Sequence, residues 1–143
     1  MTPRQAAFYA DQLLRDTAAA LDPRPRLEFS QEFSNDAARC PGGPDAERMV
    51  VVTRCYWLRD IAGQDHAAVG AQVLARWQRR GFVITDMAGA GTARPAVGAV
   101  APPYAFRLSL EWSDTGGSGQ LSLNAASVCL WPEQQPPGTG LAR

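Results

Sequence analysis

The clearest strand pattern in the chain is Tyr104-Ala105-Phe106-Arg107-Leu108-Ser109-Leu110-Glu111-Trp112. Large apolar side chains alternate with polar or small ones through this segment, and a period of two residues is typical of a half-buried β-strand. Residues 121–129 alternate in the same way after a turn-rich connection at 114–119. Two alternating segments joined by a short connection predict an antiparallel hairpin.

Three more strands are predicted outside this hairpin. Residues 27–33 alternate, residues 49–58 begin with a β-branched run, and residues 82–86 form a short apolar segment. Residues 87–103 are rich in glycine and proline and are predicted to form a long loop. Loops of that length in compact domains are usually mobile or functional, so this loop is one place to look for a partner.

Two helices complete the prediction. Thr2, Pro3 and Gln5 form a capping box with proline at the first helical position, so a helix begins there and ends before Pro23. A second helix is predicted from a cap at Gln64 or Asp65 to about residue 80, with Gly81 ending it.

The predicted fold class is α+β, a two-layer domain with a mainly antiparallel five-stranded sheet and two helices packed on one face. The apolar strand faces should meet helix stripes around Leu14 and Trp77. The opposite face should meet water or a partner, and it carries four charged side chains: Glu28, Glu32, Arg107 and Glu111. We expect residues 1–131 to form one domain and residues 132–143 to form a flexible Pro/Gly-rich tail.

Composition excludes several function classes. The 143 residues include 14 basic and 14 acidic side chains, and a nucleic-acid binder would usually show a basic excess. All the basic residues are arginine, so lysine-based Schiff-base chemistry and a P-loop lysine are excluded. No run of 18 apolar residues is present, so any membrane attachment should run through an N-terminal anchor that has been removed.

No catalytic or cofactor-binding motif is present, and no cofactor or metal is predicted. The G-x-S-x-G, H-E-x-x-H and P-loop patterns are missing. His66, the one histidine, should be an exposed residue in the first turn of the second helix. If the domain were a small enzyme, its candidate residues would be His66, Asp86 and Glu111, chosen because they are polar and lie near element ends.

The three cysteines favour a disulfide over a metal site, because no C-x-x-C pair is present. Cys40 lies in an irregular segment and Cys129 at the end of the last strand, which are common places for disulfides in exported domains. Cys40–Cys129 is therefore the favoured pairing, with Cys40–Cys55 and three reduced thiols as alternatives. Cys55 lies in an apolar strand and is expected to be a core thiol rather than a nucleophile.

Short motifs add a resemblance. The segments Ser127-Val128-Cys129-Leu130-Trp131-Pro132-Glu133, Trp77-x-x-x-Gly81-Phe82 and Cys40-Pro41-Gly42 resemble those of small actinobacterial lipoproteins and exported proteins of unknown function, the LppA-like kind. In that family a lipidated cysteine precedes a compact α+β domain, and an S-P-C-like segment ends the last strand. Here Val128 replaces that proline and no lipobox is present. The resemblance covers most of residues 2–133 in layout, and it implies no enzyme activity and no catalytic residues.

Three functional hypotheses follow. The first is a non-enzymatic binding ectodomain of an exported or lipid-anchored envelope protein, with another envelope protein as a possible partner. The second is a cytosolic small-molecule-binding domain or small enzyme with a pocket between sheet and helices. The third is an immunity or chaperone-like partner protein, which a large exposed apolar patch would favour. The sequence leaves the oligomeric state open.

Overall fold

A computed structural model of the protein describes residues 1–115 and 118–132. The two helices are α1 (Pro3–Ala19) and α2 (His66–Arg79). The strands are β1 (Arg26–Phe29), β2 (Asn35–Arg39), β3 (Val50–Arg59), β4 (Val83–Asp86), β5 (Val97–Ala101), β6 (Phe106–Thr115) and β7 (Ser118–Ala126). The fold class is α+β as predicted, with two helices and an antiparallel sheet.

The sheet has seven strands rather than the predicted five, in the order β1-β3-β7-β6-β5-β4. The remaining strand, β2, also pairs with β3. β1 pairs with residues 56–59 of β3 and β2 with residues 50–53, so the two short strands share one edge of β3. The predicted hairpin is β6–β7, in register from Arg107 opposite Ala126 to Thr115 opposite Ser118.

Helix α1 begins as its capping box requires. The Thr2 hydroxyl accepts the Gln5 backbone N–H at 3.1 Å, and the Gln5 side chain accepts the Thr2 backbone N–H at 2.8 Å. Because Pro3 has no N–H, the first turn has three amide groups without a helical partner, and the capping box satisfies two of them. The cap of α2 is different, because Asp65 occupies the capping position without a side-chain capping bond.

The core lies between the helices and one face of the sheet. Leu14 of α1 and Trp77 of α2 are fully buried there, against Phe106, Leu110 and Leu123 of the sheet. Both helices therefore cover the same face, as the alternation predicted. The prediction for His66 is wrong: this side chain is 4% exposed, because it lies on the buried stripe of α2 with Val69 and Val73.

Two further predictions are corrected by the strands. The predicted loop 87–103 contains the strand β5. Its residues are small, they pair with β6, and the side chains of Val97 and Ala99 are buried against the helices. The predicted strand 27–33 ends at Phe29. Beyond it the Ser30 hydroxyl accepts the Phe33 N–H, and the Ser34 hydroxyl accepts the Cys55 N–H. These side-chain hydrogen bonds take the place of backbone hydrogen bonds to the neighbouring strand, and this competition is how serine interrupts a strand.

The predicted tail, residues 132–143, lies outside the described residues apart from Pro132. The last described segment is held to the sheet by a bridge in which the backbones of Val50 and Leu130 exchange two hydrogen bonds of 2.7 Å each.

Candidate functional site

The face of the sheet that the helices leave uncovered is the candidate site, and we call it the helix-free face. It is formed by alternate side chains of the three central strands, β3, β7 and β6. Register aligns them in rows: Trp57, Ser122 and Glu111 form one row, and Cys55, Asn124 and Ser109 form the next.

A depression of about 510 Å³ lies on this face. Its floor includes Cys55, which is 2% exposed, and Ser122, which is 7% exposed. Glu111 is exposed and Ser109 and Asn124 are half-buried along the same surface. The depression therefore combines a buried floor with accessible hydrogen-bonding groups, which is the usual make-up of a small-ligand site.

The polar side chains of the depression are bonded to one another. Ser109 Oγ donates to Glu111 Oε2 at 2.8 Å, and Asn124 Nδ2 contacts the same oxygen at 3.4 Å. Asn124 Nδ2 also donates to Ser122 Oγ at 3.1 Å. Because a carboxylate can accept about four hydrogen bonds, Glu111 can accept others from a ligand while Ser109 and Asn124 hold it in place.

Aromatic side chains border one side of the depression. Phe33, 54% exposed, packs edge-to-face on Trp57 with the ring centroids 6.2 Å apart. The interrupted strand explains this position, because the turn at 30–34 turns Phe33 away from the helices and onto the helix-free face. The Arg59 guanidinium lies 5.4 Å from the centre of the Trp57 ring and is paired with Glu28 at 3.1 Å.

The Cys55 thiol remains protonated at neutral pH. Burial raises its pKa to about 11, with a smaller contribution from the nearby Glu111 carboxylate, and hydrogen bonds with Ser122 and Ser30 oppose the rise only in part. A nucleophilic cysteine requires the thiolate and an electropositive setting. Cys55 is therefore part of the floor of the depression rather than a reactive group.

A second polar cluster lies where β1 and β2 separate along β3. The Arg54 side chain is 11% exposed and lies 2.6 Å from Asp36 and 3.5 Å from Asp11. Tyr56 Oη donates to Asp11 at 2.7 Å, and both burial and this bond raise the Tyr56 pKa. The arginine is neutralised by two carboxylates of the same chain, so this cluster joins α1 to the sheet rather than offering charge to a ligand.

The structure does not bring the three sequence-derived enzyme candidates together. His66 is buried in the helical layer, Asp86 is exposed at the end of the edge strand β4, and Glu111 is on the helix-free face. Only Glu111 belongs to the depression. The sequence pattern places Trp57 and Phe33 in two regular strands and does not predict that they are in contact. The contact depends on the turn at 30–34, and in the sequence this turn is indicated only by the pair Ser30 and Ser34.

Cys40 and Cys129 form a disulfide, and their Cα atoms are 5.5 Å apart. The bond joins the end of β2 to the segment after β7, across 89 positions of sequence. Cys55 is free and buried. No group of three or more potential metal-ligating side chains occurs within residues 1–115 and 118–132.

Neither described helix combines the length and the apolar character that crossing a bilayer requires. Comparisons with protein-family models, with curated proteins and with solved structures found no match to this chain.

Proposed function

We propose that this chain is the binding domain of an exported or lipid-anchored actinobacterial envelope protein, and that it binds through the helix-free face without catalysing a reaction. The observation that carries the proposal is the depression of about 510 Å³, where Glu111 is held by two neighbouring side chains beside an aromatic border.

The arrangement of the depression supports binding rather than catalysis. A general acid or base needs a titratable group placed to exchange a proton with a reacting atom, usually with a second group that completes the reaction. The Cys55 thiol has a raised pKa, and Glu111 already accepts bonds from Ser109 and Asn124. Oriented donors and acceptors of this kind suit recognition.

The disulfide supports the exported location. Disulfides persist in oxidising compartments and are rare in the cytosol. In the chain-entropy model, a bond that closes a loop of this length stabilises a domain by about 4–5 kcal/mol. A domain that relies on Cys40–Cys129 would be weakened in a reducing cytosol, and its envelope partner would be met in an oxidising compartment.

A pocket between sheet and helices is not proposed. Trp77, Phe106 and Leu14 are fully buried in that interface and fill its centre. Close packing of this kind leaves no room for a ligand at the centre of the interface. The depression of about 500 Å³ at its rim is lined by Asp11, Arg54 and Tyr56, which are already bonded to one another.

The proposal is tested by retention on isolated envelopes. Purified, oxidised protein is incubated with cell-wall and membrane fractions of an actinobacterium and pelleted over a range of protein concentrations. We expect saturable retention that Trp57→Ala and Asn124→Ala reduce at least tenfold.

The matched control is Gln12→Ala, because Gln12 is exposed on α1 on the other side of the molecule. It should be retained like the unmodified protein. Thermal unfolding of each variant checks that the fold is kept. Absence of saturable retention, or equal loss for Gln12→Ala and Trp57→Ala, would contradict the proposal.

A further inference from the structure

We infer that the depression on the helix-free face binds a neutral saccharide. The inference rests on the proposed function and names the chemical class of its ligand. Two features of the depression carry it: an aromatic border and a compact group of hydrogen-bonding side chains.

The aromatic border suits the apolar side of a sugar ring. Aromatic faces carry negative charge density and attract the weakly positive C–H groups that line one side of a pyranose. Trp57 is half-buried and Phe33 is 54% exposed, and both line the depression. Their edge-to-face packing holds the Trp57 ring in place, so little side-chain freedom is lost on binding.

The hydrogen-bonding groups cover an area the size of one sugar ring. Ser109 and Glu111 are two residues apart on β6, a spacing of about 7 Å, and β7 places Asn124 and Ser122 beside them at about 5 Å. These four side chains supply hydroxyl, amide and carboxylate groups. Such a mixture can both donate to and accept from the hydroxyls of a sugar, each of which is itself donor and acceptor.

The charges of the depression balance and do not favour an anionic ligand. Glu111 lies beside neutral side chains. Two arginines also line the depression: Arg107, whose charge offsets that of Glu111, and Arg54, which two carboxylates already neutralise. A phosphate or nucleic-acid ligand would meet the Glu111 carboxylate on the same surface as Arg107, whereas a neutral polyol gains hydrogen bonds to both.

The backbone beneath this face is largely paired within the sheet. β3 and β7 each lie between other strands, and β6 pairs with β5 from Phe106 to Leu110, whereas residues 111–115 of β6 extend beyond β5. A peptide that extends a sheet needs a free edge rather than a face. A ligand that lies over the helix-free face is therefore recognised by side chains, as a sugar is.

The experiment titrates the ¹⁵N-labelled oxidised protein with tetrasaccharides of glucose, mannose, galactose and N-acetylglucosamine, each to about 10 mM so that millimolar Kd values are measurable. We expect at least one to shift the Trp57 indole and Asn124 side-chain signals saturably. Trp57→Ala should weaken binding at least tenfold. Glu111→Gln should weaken it several-fold because hydrogen bonds to an ionised acceptor are the stronger ones.

Gln12→Ala is the matched control and should bind like the unmodified protein. Saturable shifts that map to the helices, or that Trp57→Ala leaves unchanged, would overturn the inference. If no tetrasaccharide binds while envelope retention still depends on Trp57, the saccharide inference is wrong and the proposed function stands. If retention and saccharide binding are both absent, both are wrong.

Discussion

The indole Nε1 of Trp77 donates a hydrogen bond of 2.9 Å to the hydroxyl of Thr17, and both side chains are buried between the two helices. The same hydroxyl donates to the Leu13 carbonyl one turn earlier in α1, also at 2.9 Å. A bulky indole can be buried at this depth because its one polar group finds an acceptor on the facing helix. The bond therefore fixes how α2 lies against α1.

Thr17→Val tests this relationship, because valine keeps the shape of threonine and removes the hydroxyl. The Trp77 N–H would remain buried without an acceptor, and we expect the free energy of unfolding to fall by about 1–3 kcal/mol. Urea unfolding followed by circular dichroism measures the change.

A double-mutant cycle with Trp77→Phe isolates the bond from the packing. In the Trp77→Phe background no indole N–H is left unpaired, so Thr17→Val should cost clearly less than in the parent protein. Equal costs in the two backgrounds would show that the hydrogen bond contributes nothing to stability.

Removing the disulfide should destabilise the domain strongly. The Cys40–Cys129 bond spans 89 positions, and the chain-entropy model gives a loss of about 4–5 kcal/mol on its removal. We expect the Cys40→Ser/Cys129→Ser variant to unfold at much lower urea concentration, and a reductant to lower the midpoint of the unmodified protein but not of this variant. Cys55→Ser serves as control and should retain the response to reductant.

Gly70 is a helical glycine at which alanine should destabilise. Alanine usually stabilises a helix interior by up to about 1 kcal/mol relative to glycine. Here a Cβ atom would overlap the carbonyl oxygen of Ala90 and the ring of Pro95. We expect Gly70→Ala to lower stability by about 1–3 kcal/mol, as overpacking does. Gly63→Ala, where a Cβ would meet nothing within 4 Å, should change it little, and thermal unfolding compares the two.

The partly buried ion pair of Arg54 and Asp11 should matter more than an exposed one. Asp11 lies 3.5 Å from Arg54 and accepts the hydrogen bond of the buried Tyr56 hydroxyl, so Asp11→Ala would remove a partner from both, although Arg54 keeps Asp36. We expect a loss of about 1–3 kcal/mol in urea unfolding. The control is Asp45→Ala, since Asp45 pairs at 3.7 Å with the exposed Arg48 and such pairs contribute at most about 1 kcal/mol. Equal losses of stability for Asp11→Ala and Asp45→Ala would show that burial does not strengthen the ion pair of Arg54.

Local patterns predicted most of the fold. The capping box fixed the start of α1, and strict alternation located β6 and β7, because both signals come from neighbouring residues. β2 and β5 were missed for the opposite reason. The sequence of β2 is Asn-Asp-Ala-Ala-Arg and that of β5 is Val-Gly-Ala-Val-Ala, so neither has strong β-propensity. Their pairing depends on the long strands β3 and β6 beside them.

The candidate site was predicted only in part. Alternation placed Glu111 and Arg107 on the uncovered face, because the side-chain period of a strand is two. The neighbours of Glu111 depend on strand register, which brings Ser122 opposite it and Asn124 next to it. The position of Phe33 depends on hydrogen bonds that the Ser30 and Ser34 hydroxyls accept and that break an apparently regular strand. No periodicity in the sequence contains that information.

The Cys55 thiol predicts an alkaline dependence of stability. Its pKa is raised to about 11 in the folded protein, chiefly by burial, so between about pH 9 and pH 11 the unfolded chain loses this proton while the folded protein keeps it. The unfolded state then binds fewer protons, and stability must fall as pH rises. The contribution is fully present below pH 9, decreases by up to about 1.4 kcal/mol per pH unit between about pH 9 and pH 11, and does not change further above that range.

Comparison with Cys55→Ala isolates this contribution from that of Tyr56, whose pKa is also raised. We expect the stability of the unmodified protein to fall by on the order of 2–3 kcal/mol more than that of the variant between pH 9 and pH 11. Urea midpoints at half-unit pH steps measure the difference, and iodoacetamide should label Cys55 only after unfolding at pH 8. Parallel pH profiles of the two proteins, or rapid labelling of the folded protein, would show that burial does not keep the Cys55 thiol protonated in the folded state.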